Sequence, residues 1–117
     1  MNQKPFEKID PLLESWAHQK GLIVTKNYKD FEVRHISIID NEGDKYELFL
    51  TSPSLINRLT ISVGLIERAS RRTPNNEKKE LQKTWKTSVR NLKSELENAY
   101  QTIEKWILNE GHSRTYV

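Results

Sequence analysis

The chain has 117 residues and carries 19 Lys or Arg against 16 Asp or Glu, so its formal net charge at pH 7 is +3. It contains no cysteine, which excludes a disulfide framework and any site that needs a thiolate. Only 35% of its residues are hydrophobic, and no stretch approaches the ~20 apolar residues of a membrane span. We therefore expect one small soluble domain, residues 1–117, with a cytoplasmic location and no membrane contact.

The N-terminal segment predicts a helix over residues 11–20. Asp10 is a favourable N-cap residue, and Pro11 suits the first helical position because its missing N–H is not needed there. Gly21 is placed to end the helix in the left-handed conformation. Charged residues interrupt the first turns where a secretory signal needs an apolar run, so no cleaved signal is expected. The residues that share one apolar face are Leu12, Leu13, Trp16 and Ala17.

The next part of the chain predicts an antiparallel meander of about four strands, over residues 22–25, 31–40, 45–51 and 59–65. Gly43 can adopt the positive φ of a hairpin turn between the second and third strands. The apolar alternation changes phase within the second strand, which predicts a β-bulge near Arg34 and His35.

The fourth strand has the clearest alternation, with Leu59, Ile61, Val63 and Leu65 on one side. This pattern predicts a sheet with one buried face, covered by both helices, and one face in water.

The C-terminal third predicts one long helix. Thr73 and Pro74 repeat the signature of an N-cap followed by proline, and Gly111 can end the helix. A helix of about 35 residues would be roughly 50 Å long, which exceeds the width of so small a domain. Its apolar spacing therefore also predicts a homodimer through this helix. The residues of the stripe are Leu81, Trp85, Val89, Leu92, Leu96, Ala99, Ile103 and Trp106.

Positive charge is concentrated in residues 67–93, which carry nine Lys or Arg and three Glu, a net charge of +6. On a helix, five of these cations would form one ridge beside the apolar stripe: Lys79, Lys83, Lys86, Arg90 and Lys93. Three preceding arginines could extend the ridge: Arg68, Arg71 and Arg72. Two interpretations stay open, a binding surface for an anionic partner and an ordinary solvated helix face.

Catalytic and cofactor motifs are absent from the sequence. His18, His35 and His112 are not spaced as metal ligands, and the isolated glycines form no phosphate-binding loop. We therefore expect no metal, no cofactor and no enzymatic activity. The function predicted is a small protein-binding module of the inhibitor, immunity or antitoxin kind, which uses the basic ridge to bind an acidic protein. The alternative is a nucleic-acid-binding protein that uses the same ridge.

Overall fold

The computed structural model of the chain describes residues 4–26, 33–67 and 81–113. Within these ranges the five strands form one antiparallel sheet in the order β1-β2-β3-β4-β5. The predicted α+β fold is confirmed, with one strand more than expected. The elements are α1 (Lys4–Glu7), α2 (Asp10–Lys20), β1 (Val24–Thr25), β2 (Arg34–Ile39), β3 (Lys45–Leu50), β4 (Arg58–Glu67), β5 (Gln82–Ser88), a 3-10 turn (Val89–Asn91) and α3 (Leu92–Asn109).

The core lies between the helices and one face of the sheet. Alternate residues of β2, β3 and β4 are buried, as expected for strands with one covered face. The predicted row on β4 is confirmed, since Leu59, Ile61 and Val63 are buried and Leu65 packs against them. Buried residues of both long helices belong to the same core, among them Leu13, Trp16, Leu96, Ile103 and Ile107.

Two predicted turns have the expected geometry. Gly21 ends α2 with a φ of 73°, and its backbone N–H donates to the carbonyl of His18 at 3.1 Å. Gly43 has a φ of 91° in the hairpin turn between β2 and β3. Both conformations favour glycine because a Cβ atom is strained there.

The β-bulge predicted near Arg34 and His35 is wrong. β2 pairs with β3 without a register shift, from Arg34 opposite Leu50 to Ile39 opposite Lys45. The apparent change of phase arises because a charged residue, Arg34, occupies a core-facing position and is only 1% exposed.

The long C-terminal helix was predicted to begin near residue 74. For the described residues before Leu92, this prediction is also wrong. α3 begins at Leu92, whereas Gln82–Ser88 form β5 and pair with β4. The proposed cap at residues 73–74 lies outside the described residues. The stripe from Trp85 to Trp106 is thus not one continuous helix face, so the homodimer stays a prediction without that support. Among the described residues, no helix is long and apolar enough to cross a membrane.

Candidate binding site

The cations predicted to form one helical ridge are separated in the structure. Lys83 and Lys86 lie on β5, Arg90 lies in the 3-10 turn, and Lys93 is the second residue of α3. All four are exposed. Because Lys83 and Lys86 are three residues apart on a strand, their side chains point to opposite faces of the sheet. The other four predicted site residues lie outside the described residues: Arg68, Arg71, Arg72 and Lys79.

A shallow groove lies where α3 begins. It is lined by Arg90, Asn91, Lys93, Ser94, Glu97 and Asn98. The Glu97 carboxylate accepts hydrogen bonds from Lys20 Nζ at 3.2 Å and from Trp16 Nε1 at 2.9 Å. These two hydrogen bonds, that of Lys20 first, lower the pKa of Glu97. The groove therefore contains an ionised carboxylate, and its charge is mixed.

A tight turn at residues 54–57 connects β3 to β4, and we call it the tip turn. The Asn57 amide donates to the Ser54 carbonyl at 2.9 Å, which places Leu55 and Ile56 at the two central positions. Ser54 Oγ accepts hydrogen bonds from the amides of Ile56 at 3.3 Å and Arg58 at 3.2 Å. Asn57 has a φ of 60°, a conformation that asparagine adopts more readily than most residues.

The tip turn is also held from outside. The Val89 amide donates to the Asn57 carbonyl at 2.9 Å, which joins the turn to the segment after β5. Lys8 Nζ donates to Asn57 Oδ1, which joins it to the N-terminal helices. Pro53, just before the turn, is buried. Hydrogen bonds from the segment after β5 and from the N-terminal region thus fix the position of the tip turn.

The side chains at the centre of the tip turn are directed into water. Leu55 is 99% exposed and Ile56 is 76% exposed. Turn centres usually hold Gly, Pro, Asn, Asp or Ser, each of which eases the turn geometry. Large aliphatic side chains do not favour the backbone conformation of a turn. At these two positions most of their apolar surface is also exposed to water. Residues that neither favour the local backbone nor pack in the core are typical of a functional site.

Exposed cations flank the tip turn. Lys8 contacts Asn57, Arg58 follows Asn57 directly, and Arg90 follows the residue whose amide binds Asn57. We call the five side chains together the tip site: Leu55, Ile56, Lys8, Arg58 and Arg90. Sequence reasoning selected only Arg90 of these. The sequence signal that was missed is the aliphatic pair Leu55 and Ile56, which lies between residues 52–54 and Asn57, where turn-forming residues predominate.

A second polar cluster joins the β2–β3 turn to the segment after α3. His112 Nδ1 lies 2.7 Å from Asp40 Oδ2 and 3.9 Å from Asp44 Oδ2. The hydrogen bond with Asp40 raises the pKa of His112; burial opposes this, while the charges of Asp40, Asp44 and Glu42 add to it. Sequence reasoning missed this cluster because Asp40 and His112 are 72 residues apart.

His35 belongs to a different cluster, on the face of the sheet opposite the helices. Its Nε2 lies 3.4 Å from Glu47 Oε1, and its ring centroid lies 4.7 Å from that of Phe49. Burial lowers the pKa of His35, which favours the neutral imidazole. His35 and Phe49 are direct partners in the β2–β3 register, so their contact is a cross-strand packing pair.

Comparison of the chain with protein-family models, with curated proteins and with solved structures gives no match. The function is therefore inferred from the side chains themselves.

Proposed function

We propose that this chain is a small non-enzymatic protein-binding module, of the inhibitor, immunity or antitoxin kind, and that it docks an acidic protein partner through the tip site. The observation that supports this is the exposure of Leu55 and Ile56, 99% and 76%, on a turn fixed by hydrogen bonds. A projecting apolar pair of this kind fits a concave apolar pocket on another protein.

The expected gain from burying the pair is large for so small a surface. Complete burial of one aliphatic side chain contributes about 1.5–3 kcal/mol. Binding would order little of the loop, because the hydrogen bonds of Ser54 and Asn57 already fix the backbone. Since loop ordering is one of the main costs of association, a prefixed turn retains more of its burial energy as affinity.

The cations of the tip site define the chemistry of the partner. Lys8, Arg58 and Arg90 are exposed and lie beside Asn57 at the base of the tip turn, so positive charge adjoins the apolar pair. An apolar centre with polar groups at its edge is the usual arrangement of a protein interface. Carboxylates around the partner's pocket would raise the association rate and fix the orientation of docking. The partner proposed is therefore an acidic protein with an apolar pocket.

Replacing both Leu55 and Ile56 by Ser is expected to weaken binding of the partner at least ~10-fold, because two central apolar contacts are lost. The stability of the chain is expected to change by less than about 0.5 kcal/mol, since both side chains are in water. Proteins retained by the wild type and the variant from an extract of the source cells would be compared by mass spectrometry. Calorimetry with the purified partner would then measure the affinity.

Leu108→Ser is the matched control for this experiment. Leu108 is also exposed, at 67%, but it lies near the end of α3, about 24 Å along the helix axis from Leu92. We expect the control to bind as tightly as the wild type. Equal affinity of the wild type and the Leu55/Ile56 variant for every retained protein would refute docking through the tip site.

The alternative function, nucleic-acid binding, is favoured by one specific arrangement. In the β4–β5 register Arg58 is opposite Ser88 and Lys86 is opposite Thr60, so Arg58 and Lys86 are diagonal neighbours on the face away from the helices. Both are exposed. Phosphates could contact this pair together with Arg90 and Lys93.

Replacing Arg58, Lys86, Arg90 and Lys93 by Gln separates the two functions. For a nucleic acid, the affinity should fall steeply with salt, and the log–log slope should decrease by close to one unit for each phosphate contact removed. For a protein partner, the main change should be a slower association with a gentler salt dependence. Fluorescence anisotropy with labelled single-stranded and duplex oligonucleotides measures the first effect. No binding of either oligonucleotide at low salt would exclude the alternative.

A further inference from the structure

We propose that Asp40, Asp44 and His112 form a binding site for a divalent transition-metal ion, and that Zn²⁺ suits it best. Each side chain offers one ligand atom, and the three atoms lie within 4.8 Å of one another. Ligand atoms about 2.0–2.2 Å from one ion are themselves roughly 3–4 Å apart. The separation of His112 Nδ1 and Asp44 Oδ2, 3.9 Å, already falls in this range. Only small side-chain shifts are needed to enclose an ion.

The carboxylates are buried and are held by the turn that carries them. The side chains of Asp40 and Asp44 are 0% and 3% exposed, and both approach the same imidazole nitrogen. Asp40 Oδ1 accepts the amide hydrogens of Glu42 at 2.9 Å and Asp44 at 3.0 Å. Its other oxygen, Oδ2, faces His112. A cation between these groups would be attracted by two carboxylates in surroundings of low dielectric constant.

The imidazole is positioned by contacts independent of the carboxylates. The His112 amide donates to the Ile107 carbonyl at 3.1 Å, which fixes the chain after α3. Asn41 and Ser113 form a reciprocal pair: the Asn41 amide donates to the Ser113 carbonyl at 2.6 Å, and the Ser113 amide donates to Asn41 Oδ1 at 2.9 Å. This pair aligns the β2–β3 turn with the segment that carries His112. The donor set is therefore largely preformed by the fold.

The donor set selects the class of ion. Mg²⁺ and Ca²⁺ prefer ligand sets made of oxygen atoms, whereas an imidazole nitrogen suits zinc and neighbouring transition metals. Three protein ligands leave one position of a tetrahedral ion for water. Bound Zn²⁺ would displace the proton that His112 Nδ1 and Asp40 Oδ2 share, and these two atoms would move apart from 2.7 Å to roughly 3–4 Å. It would then connect the β2–β3 turn to the segment after α3 and stabilise the folded chain by mass action.

The test is a titration of the untagged, metal-free protein with ZnCl₂. We expect calorimetry to show one saturable site per chain, and the melting temperature to rise with Zn²⁺ but not with equimolar Mg²⁺. Nitrogen-detected NMR of the histidine rings identifies the ligand, since the signals of His112 should shift while those of His18 and His35 stay in place. Absence of saturable binding at up to about 1 mM Zn²⁺, or shifts at His18 or His35 instead, would overturn the proposal.

Two variants complete the test. His112→Gln and Asp44→Asn each remove one ligand, and each is expected to lower the affinity for Zn²⁺ at least ~100-fold, because even outer-shell changes cost 10–100-fold. Asp40 is left intact because it also holds the turn. His18→Gln, at an exposed position on α2, is the matched control and should bind as the wild type does. Circular dichroism in EDTA checks that both variants fold, and unchanged Zn²⁺ affinity in either folded variant contradicts the site.

Discussion

Replacing Asp10 by Ala is expected to lower the free energy of unfolding by about 3–5 kcal/mol, because it leaves a buried guanidinium without this counter-charge. Arg34 is 1% exposed, and its Nε and Nη2 donate to the two carboxylate oxygens of Asp10 at 2.8 and 3.0 Å. Its guanidinium carbon lies 3.7 Å from the centroid of the Phe6 ring. The pair thus joins α1 and α2 to β2, and urea denaturation monitored by circular dichroism measures the loss.

Glu14→Ala is the control for an ion pair on the same helix. Glu14 pairs with Lys26 at 2.9 Å, but both side chains are about half exposed. We expect this change to cost no more than about 1 kcal/mol. Adding Arg34→Met to Asp10→Ala should restore part of the lost stability, because the buried guanidinium is then removed as well. A cost of Asp10→Ala as small as that of Glu14→Ala would show that the buried pair contributes little.

The same ion pair explains why the phase of β2 was predicted wrongly. Alternation of apolar residues identifies the covered face only where that face is apolar, and at Arg34 it is not. Asp10 fits the sequence signature of an N-cap, yet the residue at the N-cap of α2 is Ile9, and the Asp10 carboxylate binds Arg34. Asp10 and Arg34 are 24 positions apart in the sequence. A pairing over such a distance is defined by the fold and has no local pattern.

The wrong assignment of residues 82–88 has a different cause. Apolar residues recur every four positions at Leu81, Trp85 and Val89. This spacing is typical of one face of a helix. β5 is paired with β4 alone among the described strands, and most of its residues are exposed. Such strands carry charged side chains that reduce unwanted pairing, here Lys83 and Lys86. Their apolar alternation is therefore weak, and helical spacing dominates the pattern.

The candidate site was predictable only in part, for a related reason. The strands on both sides of the tip turn were predicted, over residues 45–51 and 59–65, so a connection between them was expected. That Leu55 and Ile56 stay in water depends on how the sheet and the 3-10 turn hold Asn57, which no local pattern reveals. The Asp40–His112 contact likewise requires that α3 end beside the β2–β3 turn.

Replacing Trp85 by Ala is expected to lower the free energy of unfolding by about 3 kcal/mol, near the lower limit for large aromatic residues because the ring is only partly buried. Trp85 lies opposite Ile61 in the sheet and packs against the core. Its Nε1 donates to Glu95 Oε1 at 2.9 Å, which connects β5 to α3. Trp85→Phe keeps an aromatic ring and should cost less, about 0.5–1.5 kcal/mol for the lost hydrogen bond.

A double-mutant cycle of Trp85→Phe with Glu95→Ala tests whether residue 85 lies on β5 and not on a helix continuous with α3. On one continuous helix the two residues would lie about 15 Å apart along the axis and could not interact directly. With Trp85 on β5 they share a hydrogen bond, so we expect a coupling energy of about 0.5–1.5 kcal/mol. The same cycle with Trp106→Phe is the control; Trp106 lies eleven residues beyond Glu95 on α3, and its coupling should be close to zero. Coupling of Trp85 no larger than that of Trp106 would contradict the placement of residues 82–88 in the sheet.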